Sequence, residues 1–178
     1  MMNKKKIFIA IDTNKVSKAK KIIRDSQTNK IKVGYKFGLE FFYSKNGRKF
    51  LSSLKNQTIF LDLKLNDIPN TVRSAMKSLK DLKISYLTVH LSSGLSALKA
   101  LKQDSKNIKI AGVTTLTSLN NKDLKEIGYN KKVNELVKHQ AKLAVKAKLD
   151  AIVCSGHEIR SVKRVFKKEI ITPGIKIH

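Results

Sequence analysis

Seven short apolar runs, separated by longer amphipathic stretches, set the strongest limit on how this chain can fold. Each run is four to six residues long and rich in β-branched residues, as buried strands are. The runs cover residues 7–11, 31–34, 59–63, 86–90, 108–113, 151–154 and 170–173. Strands that alternate with helices pair in parallel, because each helix carries the chain back across the sheet. The sequence therefore predicts a parallel α/β architecture.

Amphipathic helices are predicted between these strands. Apolar side chains recur at intervals of three and four residues across 37–54, 69–82 and 133–147, which gives each helix one apolar stripe. Seven strands are more than a doubly wound sheet usually has, and no glycine-rich dinucleotide loop follows the first strand. We therefore predict a single domain over 1–178, a (β/α)8 TIM barrel in which strand 8 and the last helices are missing.

The charge balance is strongly basic and raises the question of a nucleic-acid partner. The 38 Lys and Arg residues against 13 Asp and Glu give a formal net charge of +25, and such a surface attracts phosphate. Only five of the cations are arginines, the usual bidentate readers of bases and phosphates. Because the lysines are scattered along every predicted helix, we favour a solvated lysine surface and expect no specific nucleic-acid partner.

Membrane and secreted proteins are also disfavoured by the sequence. No apolar run approaches the roughly 18–20 residues that span a bilayer, and the apolar stretch behind the basic start reaches Asp12 too soon for a signal peptide. We expect a cytoplasmic protein with no membrane partner. The single cysteine, Cys154, excludes an internal disulfide and is best explained as a small buried hydrophobic residue.

Polar side chains collect where the predicted strands end, which is where a barrel carries its active site. The first strand ends in Asp12, and the second carries Lys32. The third carries Asp62 and Lys64 and is followed by Asp67. The sequence therefore predicts a charged site at one end of the barrel.

The third strand is the most informative of the seven. Side chains alternate between the faces of a strand, so its leucines pack on the helices while Asp62 and Lys64 point into the barrel. By the same alternation Lys32 on the neighbouring strand also faces inward. Buried charges are costly unless they are paired, and a plain buried ion pair is one explanation. The convergence of several charges at one barrel mouth favours a catalytic array.

The remaining candidates have simpler structural explanations. His90 ends the fourth strand and could be a general base, but a hydrogen-bonded strand-end histidine explains it better. None of the four histidines has metal-ligand spacing. We predict that the site holds no metal and no cofactor.

The third strand runs into the segment Asp62-Leu63-Lys64-Leu65-Asn66-Asp67-Ile68-Pro69-Asn70-Thr71. This segment resembles the signature of the orotidine 5′-phosphate decarboxylases in their bacterial form. Shorter motifs fall in the family's order: Ala10-Ile11-Asp12, Lys32-Val33-Gly34, Val89-His90, Leu116-Thr117-Ser118, Val153-Cys154-Ser155 and Thr172-Pro173-Gly174-Ile175. The resemblance covers essentially the whole chain. It implies a cofactor-independent carboxy-lyase that converts orotidine 5′-phosphate to UMP and CO2 in pyrimidine biosynthesis.

The resemblance also implies which residues carry the chemistry. Lys64 is implied as the proton donor to C6 of the pyrimidine, and Lys32, Asp62 and Asp67 complete a charged array. Loss of CO2 leaves a carbanion with no adjacent electron sink, which a fixed ammonium stabilises and then protonates. A lysine is needed at position 64 because arginine gives up a proton too reluctantly.

Substrate contacts and a homodimer are implied in the same way. The implied substrate-binding residues are Asp12, Lys32, Asp62, Ile68, Thr71, Thr117 and Lys176, with Asp12 and Lys32 at the ribose hydroxyls and Thr117 at the pyrimidine. Asp67 and Ile68 of each subunit are implied to reach the partner's site.

The C-terminal end departs from the family pattern. Lys176 stands where the family commonly has a phosphate-binding arginine, and no glutamine loop, strand 8 or Gly-Arg phosphate gripper precedes His178. We expect a barrel truncated after strand 7, with little activity because remote phosphate binding contributes to catalysis.

Two other functions stay open at this point. A magnesium-dependent enzyme like 3-keto-L-gulonate 6-phosphate decarboxylase shares the Asp-x-Lys-x-x-Asp core but lacks the continuation into Ile68-Pro69-Asn70-Thr71. A non-enzymatic, basic nucleic-acid-binding protein is indicated only by the charge.

Overall fold

The structure, a computed structural model, describes residues 6–174. Seven strands lie in this part of the chain: β1 (Lys6–Ala10), β2 (Lys32–Gly38), β3 (Thr58–Leu65), β4 (Tyr86–His90), β5 (Lys109–Val113), β6 (Ala151–Val153) and β7 (Glu169–Ile171). Every strand predicted from the sequence is present. The second strand differs most, because β2 continues to Gly38 and not only to Gly34.

Neighbours in the sheet are also neighbours in the sequence. The strand order is β1-β2-β3-β4-β5-β6-β7, and the pairs β1–β2, β2–β3, β5–β6 and β6–β7 are parallel. A parallel sheet in chain order, with helices in the connections, has the topology of the (β/α) barrels. The predicted fold class is confirmed.

Eight α-helices connect these strands within the described residues. They are α1 (Val16–Asp25), α2 (Leu39–Tyr43), α3 (Gly47–Ser53), α4 (Pro69–Ser78), α5 (Gly94–Asp104), α6 (Asn121–Glu126), α7 (Val133–Lys146) and α8 (Ile159–Val165). Short 3₁₀ turns cover Leu91–Ser93 and Gly156–Glu158. Among the helices of residues 6–174, none combines the length and the hydropathy of a membrane-crossing segment.

The single helix predicted over 37–54 is wrong. Phe37 belongs to β2, and the rest of the stretch divides into α2 and α3. The ring of Phe37 lies 4.9 Å from that of Phe41 and 6.4 Å from that of Phe50, between ring centroids. The apolar spacing therefore joins a strand to two short helices, and it resembles the period of one long helix only by coincidence.

The described residues divide into two compact units. One comprises the described parts of Met1–Leu63 and Ser78–Leu87, and the other those of Lys64–Lys77 and Thr88–His178.

In the first unit, three aromatic rings form one apolar layer. The Phe8 ring centroid lies 5.0 Å from that of Phe60 and 5.3 Å from that of Tyr86, and the last two are 5.5 Å apart. The Lys6 ammonium donates a hydrogen bond of 3.0 Å to the Tyr86 hydroxyl. These contacts tie β1, β3 and β4 together through large side chains, of which Phe60 and Tyr86 are buried and Phe8 is half-buried.

A glycine of β2 makes room for this layer. Gly34 is the register partner of Phe8. A Cβ atom at position 34 would lie 2.8 Å from the Phe8 ring and 3.0 Å from the Thr58 carbonyl oxygen. The Phe8 ring therefore occupies the space that a side chain at position 34 would need.

In the second unit, buried polar contacts fix the strand ends. Asp150, which precedes β6, accepts hydrogen bonds from the Ile110 N–H at 2.9 Å and from the Lys102 ammonium at 2.7 Å. The Gln140 side chain of α7 accepts one from the Thr115 N–H at 2.8 Å. The backbone that follows β5 is thus held at Thr115 by a side chain of α7.

We predict that Gly34→Ala lowers the free energy of unfolding by about 1–3 kcal/mol, because the new methyl group overpacks against Phe8 and the Thr58 carbonyl. Urea denaturation measures the change. Gly38→Ala on the same strand is the matched control, since a Cβ atom at position 38 would meet nothing within 4 Å. Equal losses for both variants would contradict the packing explanation.

Candidate active site

Lys36 lies near the C-terminal end of β2, between two carboxylates of the first unit. Its ammonium is 3.6 Å from Asp62 Oδ2 and 3.9 Å from Asp12 Oδ1. The side chains of Lys36 and Asp62 are 28% and 12% exposed, whereas that of Asp12 is 74% exposed. The Ile11 N–H donates to the Lys36 carbonyl oxygen at 2.8 Å, which aligns the ends of β1 and β2. Two flanking carboxylates offset much of the cost of the half-buried ammonium.

Lys32 does not take part in this cluster, and its predicted place in the charged array is corrected. It is exposed, is the first residue of β2 and pairs with Lys6. Four residues separate it from Lys36, about 13 Å along a strand. Alternation assigns Lys32 to a face of the strand, but it says nothing about position along the strand.

The sequence contained a signal for Lys36. The pattern lysine, apolar residue, glycine occurs twice on β2, as Lys32-Val33-Gly34 and as Lys36-Phe37-Gly38. The two lysines share a face because they are four residues apart. The second pattern directly precedes α2, so it is the one at the catalytic end of the strand.

Lys64, in the second unit, has an unusual backbone. Its φ is 49°, in the left-handed region that lysine rarely adopts. Its N–H donates a hydrogen bond of 2.8 Å to the Thr88 hydroxyl oxygen. Conformations of this kind cost of order 1–3 kcal/mol and cluster at functional sites. The backbone thus singles out the same lysine as the sequence motif.

The connection from β3 to α4 is exposed and internally braced. The Asp67 carboxylate accepts a hydrogen bond from the Ile68 N–H at 2.7 Å, and the Ser93 hydroxyl is 2.9 Å from Asn66 Oδ1. The Ile68 side chain is 65% exposed, and Thr71 is exposed in the first turn of α4. This loop therefore presents a carboxylate and an apolar side chain to its surroundings.

A cleft of about 550 Å³ opens at the ends of β5, β6 and β7 in the second unit. It is lined by Thr117, Ser155, Gly156, His157, Thr172, Pro173 and Gly174. Its volume is in the range of small-molecule sites, and hydroxyls and an imidazole supply its polar groups. Thr117 thus borders this cleft, whereas Lys176 lies outside the described residues.

Cys154 directly precedes Ser155 of this cleft, but its thiol is in an unreactive, buried environment. It is 2% exposed, and burial, with a smaller effect of the Glu158 charge, raises the pKa of its thiol to about 11. The prediction of a buried hydrophobic residue is confirmed. Burial also raises the pKa of Glu158, although that carboxylate accepts a hydrogen bond from the Ser155 N–H.

Within residues 6–174, no group of three or more His, Cys, Asp or Glu is arranged to hold a metal ion. His90 ends β4 and is half-buried.

Comparison with known proteins assigns the family. The sequence model of the orotidine 5′-phosphate decarboxylase / HUMPS family matches residues 5–178. The chain belongs to this family.

Relatives within the family are similar over nearly the whole chain. The orotidine 5′-phosphate decarboxylase of Buchnera aphidicola is 42% identical over 180 residues, 97% of this chain and 75% of that protein. The enzyme of the same name from Carboxydothermus hydrogenoformans is 37% identical over 183 residues, 96% of this chain and 75% of that protein. The crystal structure of orotidine 5′-phosphate decarboxylase from Lactobacillus acidophilus superposes with a TM-score of 0.82 at 29% identity, covering 96% of this chain and 81% of that one.

Proposed function

We propose that this protein is an orotidine 5′-phosphate decarboxylase, which converts orotidine 5′-phosphate to UMP and CO2. The observation that carries the proposal is the set of lysines and carboxylates at the strand ends of a family member. Asp62 and Lys64 are two residues apart on β3, and the Lys36 ammonium lies between Asp62 and Asp12. Such a fixed arrangement of charges suits a reaction whose difficulty is an unstabilised carbanion.

In the proposed reaction, the bond between C6 and the substrate carboxylate breaks and CO2 leaves. The electron pair stays on C6, where the pyrimidine offers no adjacent sink for it. The Lys64 ammonium lowers the energy of that charge and transfers one proton to C6, which gives UMP. The neutral amine then regains a proton from solvent. No cofactor is required for this sequence of bond changes.

The carboxylates have a different proposed role. Asp62 lies near the substrate carboxylate and repels it in the ground state more than in the transition state, which has already begun to lose that charge. Asp12, which is largely exposed beyond β1, is available to the ribose hydroxyls. The resemblance to the family implies Thr117 as a contact of the pyrimidine and Thr71 as a further ligand contact.

Lys36 takes the place that the sequence assigned to Lys32. Its ammonium attracts the carboxylates of Asp62 and Asp12. It also lies close enough to Asp12 for both side chains to contact the same ribose hydroxyl. A cytoplasmic location, where free nucleotides are made, is part of the proposal.

Lys64→Ala is predicted to lower decarboxylation by at least about 10³-fold while the fold is retained, because both the proton donor and a stabilising charge are lost. Release of CO2 from carboxyl-labelled orotidine 5′-phosphate measures the rate, and circular dichroism checks the fold.

EDTA should leave the wild-type rate unchanged. A rate that requires magnesium would favour an enzyme like 3-keto-L-gulonate 6-phosphate decarboxylase, and the absence of any release would contradict the proposal.

Lys36→Ala is predicted to lower the same rate by about 10²-fold or more, because the charge between Asp12 and Asp62 disappears. Lys32→Ala is the matched control, with the same substitution on the same face of β2. Its exposed position predicts a change within about twofold. The reverse ranking would restore the assignment made from the sequence.

We further propose a homodimer in which Asp67 and Ile68 reach the partner's site. The β3–α4 connection carries both residues at its surface, and the 65% exposure of Ile68 supports a contact that covers it. A twofold arrangement would place the two connections symmetrically, each at the other subunit's site.

Mixing two inactive variants tests this arrangement. Lys64→Ala and Asp67→Ala, unfolded and refolded together in equal amounts, should regain about a quarter of the wild-type activity, because half of the dimers then hold one intact site. Lys64→Ala mixed with Lys36→Ala is the matched control and should regain none, since both lysines serve their own subunit. Equal behaviour of the two mixtures would exclude a shared site, and light scattering reports the dimer directly.

A further inference from the structure

Thr88 stands in the middle of β4 and is completely buried. The flanking Leu87 and Val89 are also 0% exposed, so valine would suit the position if packing alone decided it. A buried hydroxyl is costly unless it forms a hydrogen bond. The Thr88 oxygen accepts one from the N–H of Lys64 at 2.8 Å.

The donor of that bond is the Lys64 N–H. Among the described residues, Lys64 is the only non-glycine residue within a strand whose φ is positive. The other non-glycine residues with positive φ are Asn56, Lys106 and Lys148, and all three lie between elements. In β3 the positive φ of Lys64 turns its Cα–Cβ bond away from the direction that an extended strand would impose. The Lys64 N–H donates to the Thr88 hydroxyl oxygen, so a side chain of the neighbouring strand accepts from this backbone.

We propose that Thr88 is a positioning residue for Lys64. By accepting the Lys64 N–H, its hydroxyl holds the left-handed backbone and so fixes the direction in which the lysine side chain leaves β3. The ammonium that takes part in the reaction belongs to Lys64, and Thr88 acts only by holding the Lys64 backbone. This inference rests on the proposed role of Lys64 in decarboxylation.

A second buried threonine of the same unit, Thr114, provides a comparison for Thr88. Thr114 is 1% exposed, and its hydroxyl donates to the Val153 carbonyl oxygen at 3.2 Å. That carbonyl also accepts the Thr114 N–H at 3.1 Å, so the contact survives loss of the hydroxyl. Thr114 therefore offers the same substitution, at similar burial, without a link to Lys64.

The test compares Thr88→Val, Thr88→Ser and Thr114→Val in the full chain. Thr88→Val replaces the hydroxyl that accepts the Lys64 N–H by a methyl group and should lower kcat by about 10- to 100-fold, because a displaced reacting group is costly, with KM nearly unchanged. Thr88→Ser keeps the oxygen and should restore kcat to within about threefold of wild type. Thr114→Val should lower the melting temperature without lowering kcat.

Amide hydrogen exchange at Lys64 provides an independent measurement. The Lys64 N–H should exchange faster in Thr88→Val than in wild type and Thr88→Ser, since its acceptor is gone. Unchanged exchange, a kcat loss in Thr88→Ser equal to that in Thr88→Val, or an equal loss in Thr114→Val would overturn the proposal. If wild type releases no CO2, the proposed function fails, and the exchange rate alone still decides whether Thr88 holds Lys64.

Discussion

The candidate site depends on the pairing of the Lys36 ammonium with the carboxylates of Asp62 and Asp12. A lysine side chain that is 28% exposed is costly beside an apolar interior unless its charge is paired, and Lys36 lies between Asp62 and Asp12. The aromatic layer of Phe8, Phe60 and Tyr86 lies in the same unit, and Phe60 is the register partner of Lys36 on the neighbouring strand. The two carboxylates therefore offset the cost of a lysine in this position.

Much of the fold follows from short-range rules. Seven apolar runs became seven strands, because a strand buried on both faces requires a continuous apolar sequence and little else has that signature. The alternation of Asp62 and Lys64 with leucines likewise predicts that β3 carries functional residues. These inferences depend on residue type and spacing alone, which a sequence contains in full.

Other features depend on information that spacing does not carry. The position of Lys36 depends on how β2 is shifted against β1 and β3, and that shift is set by contacts between strands. The three phenylalanines at 37, 41 and 50 have a helical spacing but bridge a strand and two helices. The left-handed backbone of Lys64 has no sequence signal at all, because lysine does not favour it, and the acceptor that accompanies it lies 24 residues away.

The close fit of Phe8 against Gly34 has a consequence for the charged cluster. A slide of β2 by two residues would keep every side chain on its proper face, so alternation alone does not forbid it. That slide would set Lys32 or Lys36 opposite Phe8, where the ring leaves no space. The absence of a Cβ atom at position 34 therefore favours one register of β2 against β1. That register also sets the position of Lys36, two residues further along β2, beside the two carboxylates.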